Sequence, residues 1–225
     1  MKNLTRVVVF AVLLSSLVVS SCGSIGLDSN RQHQTFMKLN DITYQRSAFA
    51  ADENDLSVYD TVKRKTRSGV VRNGDAEGLE PGTPVYSIAG YDPGFRVAVK
   101  QGQELAIYQA VRNPRWQNAG DMLDIVGKVE RIGIRVLEER TEAASITDQE
   151  QIDRLVGMIV EAPYSPDLLM NPGVRSVFLT FYLVDGTRIL QVFWLDSGVL
   201  GTNIQLPQEF GAAIWDTMVA QRESA

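Results

Sequence analysis

Two apolar runs, Val177 to Val184 and Thr187 to Leu195, flank the dipeptide Asp185-Gly186. Asp-Gly is a strong hairpin signal, because a type I′ turn needs positive φ at both central residues. A two-residue loop would pair Val184 with Thr187. One face would then carry Val177, Leu179, Phe181 and Leu183 opposite Trp194, Val192, Leu190 and Arg188. The other would carry Phe178, Thr180, Tyr182 and Val184 opposite Phe193, Gln191, Ile189 and Thr187. The first face is almost wholly apolar and must be covered. A one-residue slip would place Gln191 in the core, costing about a few kcal/mol unless it is hydrogen-bonded.

Two segments have the period to cover that face. Thr147-Asp148-Gln149-Glu150 fits a capping box with Thr147 at the N-cap. Ile152, Leu155, Val156 and Ile159 follow as one helical stripe, and Pro163 ends it. Pro207 suits the first position of a last helix, with Phe210, Ala213, Ile214 and Met218 inward. Trp194 and Trp215 fall on these core stripes. Ile132 to Leu137 reads as a further strand.

The first half is β-like. Ile42-Thr43-Tyr44 and Val58-Tyr59 are short and turn-bounded, and the stretch from Gly69 to Gly82 is rich in turn residues. Pro84 to Ile88, Phe95 to Val99 and Leu105 to Tyr108 predict an antiparallel meander. Asn113 to Gly120 reads as a loop. The expected class is α+β: an antiparallel β-rich first half, then a strand-helix-hairpin-helix second half. Residues 36–225 are expected to form a single domain, with 36–118 and 119–225 as its lobes.

The chain opens with Lys2, Arg6 and an apolar run from Val7 to Leu14. That run is shorter than the ~18–20 residues a spanning helix prefers, and small residues follow it, so it reads as an export signal rather than a plain transmembrane anchor. Val19-Ser20-Ser21-Cys22 resembles the lipobox of bacterial lipoproteins, with the chain's single Cys at the required place. The resemblance implies diacylglyceryl transfer to the Cys22 sulfur and cleavage after Ser21. In many such proteins a further acyl chain, commonly palmitate, is added to the new amino group. Signal peptide 1–21 would precede a lipidated Cys22 and a flexible tether to residue 35. The expected location is extracytoplasmic, on the cell membrane or the outer membrane. Gly23 and Ser24 offer no Asp of the kind linked to inner-membrane retention. Gly82-Thr83-Pro84-Val85-Tyr86, the run from Gly90 to Arg96, and Asp121 to Ile125 also resemble stretches of uncharacterised exported bacterial proteins, which imply no activity.

Chemistry is sparse. The net charge is −5 with no basic block, which disfavours nucleic acid. Loss of Lys2 and Arg6 with the signal makes the mature chain two charges more negative. One Cys and one His exclude a disulfide framework and any site needing two imidazoles. His33 lies in the expected tether, where a general base is not held in place. Gly127-Lys128 lacks the Ser or Thr of a phosphate loop, and no dinucleotide or hydrolase motif occurs, so no cofactor is expected. Asp121 and Asp124 could share a helix face. Asp52, Glu53 and Asp55 lack an EF-hand's Gly and terminal Glu. Asp167, Asp185 and Asp196 read as turn residues.

Tyr91 and Trp116 in loops, with Arg96, Arg112 and Arg115 near in sequence, are the candidates for a sugar, an anion or a protein partner. The plainer reading of Trp116 is that it covers an end of the core. The leading expectation is a lipid-anchored extracytoplasmic protein with a non-enzymatic binding or interaction role. Its partners would be the membrane, through Cys22, and an envelope protein or small ligand. The alternatives are a cell-surface carboxylate-dependent hydrolase and an inhibitor or assembly factor of an envelope enzyme.

Overall fold

In the computed structural model the first chain reversal already shows how side chains select turns. Strands β1 (Phe36–Leu39) and β2 (Ile42–Arg46) are joined by Asn40 and Asp41, at φ 50° and 66°. These two residue types tolerate the left-handed region, so they make the two-residue turn that pairs Leu39 with Ile42. The structure describes residues 35–47, 55–67, 69–137, 139–168 and 175–223, all within one compact unit, Thr35–Ala225.

β3 (Leu56–Thr61), β4 (Arg64–Thr66), β5 (Asp75–Glu77), β6 (Pro84–Ile88), β7 (Arg96–Gln101) and β8 (Glu104–Arg112) complete an eight-stranded sheet. Its order is β3-β6-β7-β8-β2-β1-β5-β4, antiparallel except for the β4–β5 pair. The expected meander is present as β6-β7-β8. β4 and β5 were not legible, because each has three mostly polar residues. Alternation along β7 sends Val97 and Val99 to the main cluster, with Met37, Tyr44 and Tyr108. Ala98 goes to a smaller cluster with Ile88 and Ile107, so both faces of this strand are buried.

The segment read as a loop from Asn113 contains a short helix, α1 (Ala119–Met122). It ends before Asp124, so Asp121 and Asp124 do not share a helix face. β9 (Val129–Val136), β10 (Ala144–Ile146), α2 (Gln149–Val160), β11 (Ser176–Leu183), β12 (Arg188–Trp194), β13 (Val199–Leu200), β14 (Ile204–Gln205) and α3 (Gln208–Glu223) follow. The second sheet has order β10-β9-β11-β12-β13-β14, with every pair antiparallel. The fold is α+β and β-rich.

The α2 stripe of Ile152, Leu155, Val156 and Ile159 is buried as expected, against Val177, Leu179, Phe181 and Leu183 of β11 and Phe210, Ile214 and Met218 of α3. Burying each large side chain stabilises by about 1.5–3 kcal/mol. The cap differs from expectation. Asp148, not Thr147, is the N-cap, and its side chain accepts from Gln151 N at 2.8 Å. A carboxylate at that place also meets the positive end of the helix dipole. Trp215 is 43% exposed rather than packed in the core, while Trp194 is half-buried with Nε1 donating to Gly201 O.

The hairpin register is one residue from that expected. Val177 pairs with Phe193, Leu179 with Gln191 and Phe181 with Ile189. Val184, Asp185 and Gly186 form a three-residue loop. Gly186 N donates to Leu183 O, and Gly186 has φ 77°. This is a tight turn closed by a left-handed glycine, which Asp-Gly serves as well as a type I′ turn. The β11 faces are as expected, with Leu179 buried and Thr180 half-buried. On β12, Ile189 and Phe193 are inward, Leu190 is 47% exposed, and Gln191 is half-buried beside Gly201.

Edge strand β10 is covered by a side chain. Gln221 of α3 accepts from Ser145 N at 2.9 Å and donates to Ser145 O at 2.7 Å. The amide thus stands in for a neighbouring strand.

Candidate functional site

Two of the three candidate residues, Tyr91 and Arg96, meet where the first sheet approaches the β11–β12 turn. Arg96 opens β7, and only 1% of it is exposed. Its Nη1 donates to Thr187 Oγ1 at 2.8 Å and to Asp185 Oδ2 at 3.4 Å. Its guanidinium lies 4.5 Å from the ring centres of both Tyr91 and Phe95. The Tyr91 hydroxyl donates to the same Asp185 oxygen at 2.8 Å, and Lys128 Nζ lies 4.7 Å from the Tyr91 ring centre. Burial raises the Tyr91 hydroxyl's pKa, with the Asp185 bond adding to it. Burial also lowers that of Arg96. Burial pushes Asp185 up, but its bonds to Thr187 and Tyr91 and the charge of Arg96 outweigh that and hold it below the usual carboxylate range. This cluster is largely closed: the charges of Arg96 and Asp185 answer each other, and Arg96 Nε is left buried without a partner.

Trp116, the third candidate, stands elsewhere, in a groove of about 380 Å³. The local sequence explains the position. After β8, Asn113 Oδ1 accepts from Arg115 N at 3.0 Å and from Arg115 Nε at 3.4 Å, a turn that fixes the guanidinium stem. Pro114 cannot continue the strand ladder. Trp116 packs edge-on against Tyr164, with ring centres 5.4 Å apart, and is 8% exposed. It therefore covers part of the first sheet's core as well as lining the groove.

The other walls come from distant segments. Tyr59 projects from the bulged edge strand β3, and its hydroxyl accepts from Asn40 Nδ2 at 3.1 Å. Asp92 Oδ1 accepts from Gly94 N at 2.5 Å, and Asp121 Oδ2 accepts from Gln117 N at 2.8 Å and from Asn118 N at 3.2 Å. Ile42 is a further wall. Tyr44 is buried nearby, where burial and then Tyr59 push its hydroxyl's pKa up, so it remains a neutral donor to Pro93 O at 2.8 Å. Among the described residues, Arg115 Nη1 and Nη2, Asn113 Nδ2, Asp92 Oδ2 and Asp121 Oδ1 have no hydrogen-bond partner. The groove therefore presents unspent donors and unspent acceptors together.

A second groove, of about 500 Å³, runs between the start of α3 and the β13–β14 hairpin, with Arg175, Ser197, Gln205 and Trp215 on its walls. Part of its polar lining is engaged, while Ser197 Oγ is buried without a partner. Gln205 Nε2 donates to Ser197 O, Gly198 O and Leu206 O, and Arg175 pairs with Asp196 while lying 5.3 Å from the Trp215 ring centre.

The remaining sequence candidates scatter. Asp124 pairs with Lys128 and accepts from Asp92 N at 2.8 Å. Asp55 and Asp167 are exposed, and Asp196 is paired with Arg175. Ser21, Cys22, His33, Asp52 and Glu53 lie outside the described residues. Among the described residues, no group of three His, Cys, Asp or Glu could hold a metal ion, and no helix is long and apolar enough to cross a membrane.

Sequence reasoning missed Tyr59, Asp92 and Asn113 as groove residues. Asn113-Pro114-Arg115 carried a local turn signal. Nothing local joins Tyr59 to Trp116, because β3 reaches the groove only through sheet pairing. No family model matches the chain, and comparison with curated proteins and with solved structures returns no match.

Proposed function

We propose that this is a lipid-anchored extracytoplasmic protein with a non-enzymatic binding role, and that the Trp116 groove is where it binds. One observation carries the binding part of the reading. The groove holds unpartnered hydrogen-bonding atoms on Asn113, Arg115, Asp92 and Asp121 between two aromatic walls, Tyr59 and Trp116. Convergent polar groups in an aromatic-walled groove are the usual form of a small-molecule site. The anchor part rests on Val19-Ser20-Ser21-Cys22. Two acyl chains hold a protein on a membrane where one is marginal, each buried CH₂ contributing about 0.8 kcal/mol.

A carboxylate-dependent hydrolase is the second reading, because Asp92 and Asp121 line the same groove. Against it, both carboxylates are exposed and each holds a backbone turn.

Mass spectrometry of membrane-extracted protein tests the anchor. Cys22 should carry the lipid, and Cys22→Ala should leave the precursor uncleaved after Ser21. A free Cys22 thiol in mature protein contradicts it. The binding role is tested by adding soluble envelope extract to the protein and following indole emission and the extract's composition. A change in emission that Arg115→Ala abolishes, with the extract unaltered, supports binding. New low-mass products made by the wild type and not by Asp92→Asn support the hydrolase instead.

A further inference from the structure

The chemistry of the Trp116 groove narrows what it would take, granted the reading above that it is the binding site. Its unpartnered atoms are of two kinds. Arg115 Nη1 and Nη2 and Asn113 Nδ2 can only donate, whereas Asp92 Oδ2 and Asp121 Oδ1 accept. A phosphate or carboxylate would suit the donors and meet two carboxylates. A simple cation would suit the carboxylates and meet Arg115. A hydroxyl both donates and accepts, carries no charge, and satisfies either kind.

Asn113 sharpens the point. The residue is 8% exposed overall, and its Nδ2, without a partner among the described residues, is not one of the fully buried unpaired atoms, so it meets solvent and is free to donate to a ligand. Room for one exists because residue 94 is Gly. A Cβ there would stand 3.4 Å from Asn113 Nδ2 and 2.8 Å from Asp92 Oδ1, crowding both side chains. Tyr59 and Trp116 supply apolar ring surface beside these groups, which fits the C–H face of a sugar ring. The groove's volume of about 380 Å³ is that of a site for a small ligand or a short stretch of a longer one.

We infer that the groove binds a neutral polyhydroxylated ring, a carbohydrate, with Arg115 and Asn113 donating to its hydroxyls and Asp92 and Asp121 accepting from them. A zwitterionic amino acid or peptide is the rival that also pairs with both charges. It fits less well, because exposed ion pairs contribute little and leave the aromatic walls unused.

The test uses the full mature chain in a detergent without a sugar headgroup. Calorimetry and tryptophan emission are recorded with tetramers of N-acetylglucosamine, cellulose and maltose, with glycylglycine, and with inorganic phosphate. At least one tetrasaccharide should bind. Arg115→Ala should weaken it about tenfold or more, and the emission change should vanish in Trp116→Phe, checked as folded by circular dichroism. Glycylglycine and phosphate should not compete. Failure of all three tetrasaccharides to bind overturns the sugar assignment. Binding of glycylglycine instead, lost in Arg115→Ala, also overturns it while leaving the groove as the site. Sugar binding that neither substitution alters shows that the groove itself is wrongly identified.

Discussion

Arg96 and Arg115 lie in similar company, each beside aromatic rings, a small polar side chain and an aspartate, and they are put to opposite use. Arg96 is closed between Tyr91 and Phe95, with Asp185 and Thr187 answering its charge. Arg115 is exposed, held by its stem to Asn113, with both terminal nitrogens unspent. The difference comes from where the chain puts them. Arg96 begins a strand buried on both faces, so its guanidinium is desolvated and must be paired internally. Arg115 follows the end of β8 on a turn at the rim, where pairing is optional. Residue types alone do not make a site; unmet hydrogen-bonding capacity beside open space does.

The largest effect is expected at the closed end. Arg96→Ala strands Asp185 and Thr187 in a closed space and should destabilise the fold by about 3–5 kcal/mol in denaturant titration. A loss of under about 1 kcal/mol, the usual worth of an exposed ion pair, would mean the cluster is open to water.

Acid tests the same cluster by titration. The Asp185 carboxyl lies below its ordinary value of 3.8, so its contribution is complete above about pH 4 and is lost as pH falls through the lowered value. Asp185→Asn should therefore flatten the acid limb of the stability curve relative to wild type. An unchanged acid limb would separate Asp185 from the clamp.

A helix cap sets the scale between the two arginines. Asp148→Ala should cost about 1 kcal/mol and Thr147→Ala far less, read as the shift in denaturation midpoint. At the open end, Arg115→Ala should change stability by less than about 0.5 kcal/mol while weakening tetrasaccharide binding about tenfold or more. A stability loss comparable to that of Arg96→Ala would make Arg115 a structural residue too.

Much of the second half was legible because period alone decides it. The α2 stripe and the two faces of β11 follow from spacing 3.6 and spacing 2, whatever they pack against. The hairpin register was not, because Asp-Gly serves both a two-residue and a three-residue loop. The observed register pairs Thr187 back toward Leu183, where its hydroxyl meets Arg96, and it leaves Gln191 half-buried. The partner that this register gives the Thr187 hydroxyl lies 91 positions away. The cap slipped by one residue for a similar reason, since Thr147 and Asp148 both suit an N-cap and only geometry chooses. Of the groove, Trp116 and Arg115 were visible as loop residues of suggestive type. Asp121 is marked locally by the capping box it forms with Asn118, whereas Tyr59 and Asp92 join the groove only through the sheet order and the turn at residues 92–95, neither of which leaves a mark near residue 116.

The most direct test is the indole region of a nitrogen–proton NMR spectrum of the protein, in which Trp116, Trp194 and Trp215 each contribute one signal, assigned by replacing each with Phe. The account predicts that, as the tetrasaccharides are added, the Trp116 signal moves while Trp194 and Trp215 stay in place, and that Arg115→Ala suppresses the movement. A shift confined to Trp215, which lines the other groove, or a Trp116 shift that persists in Arg115→Ala, would contradict it.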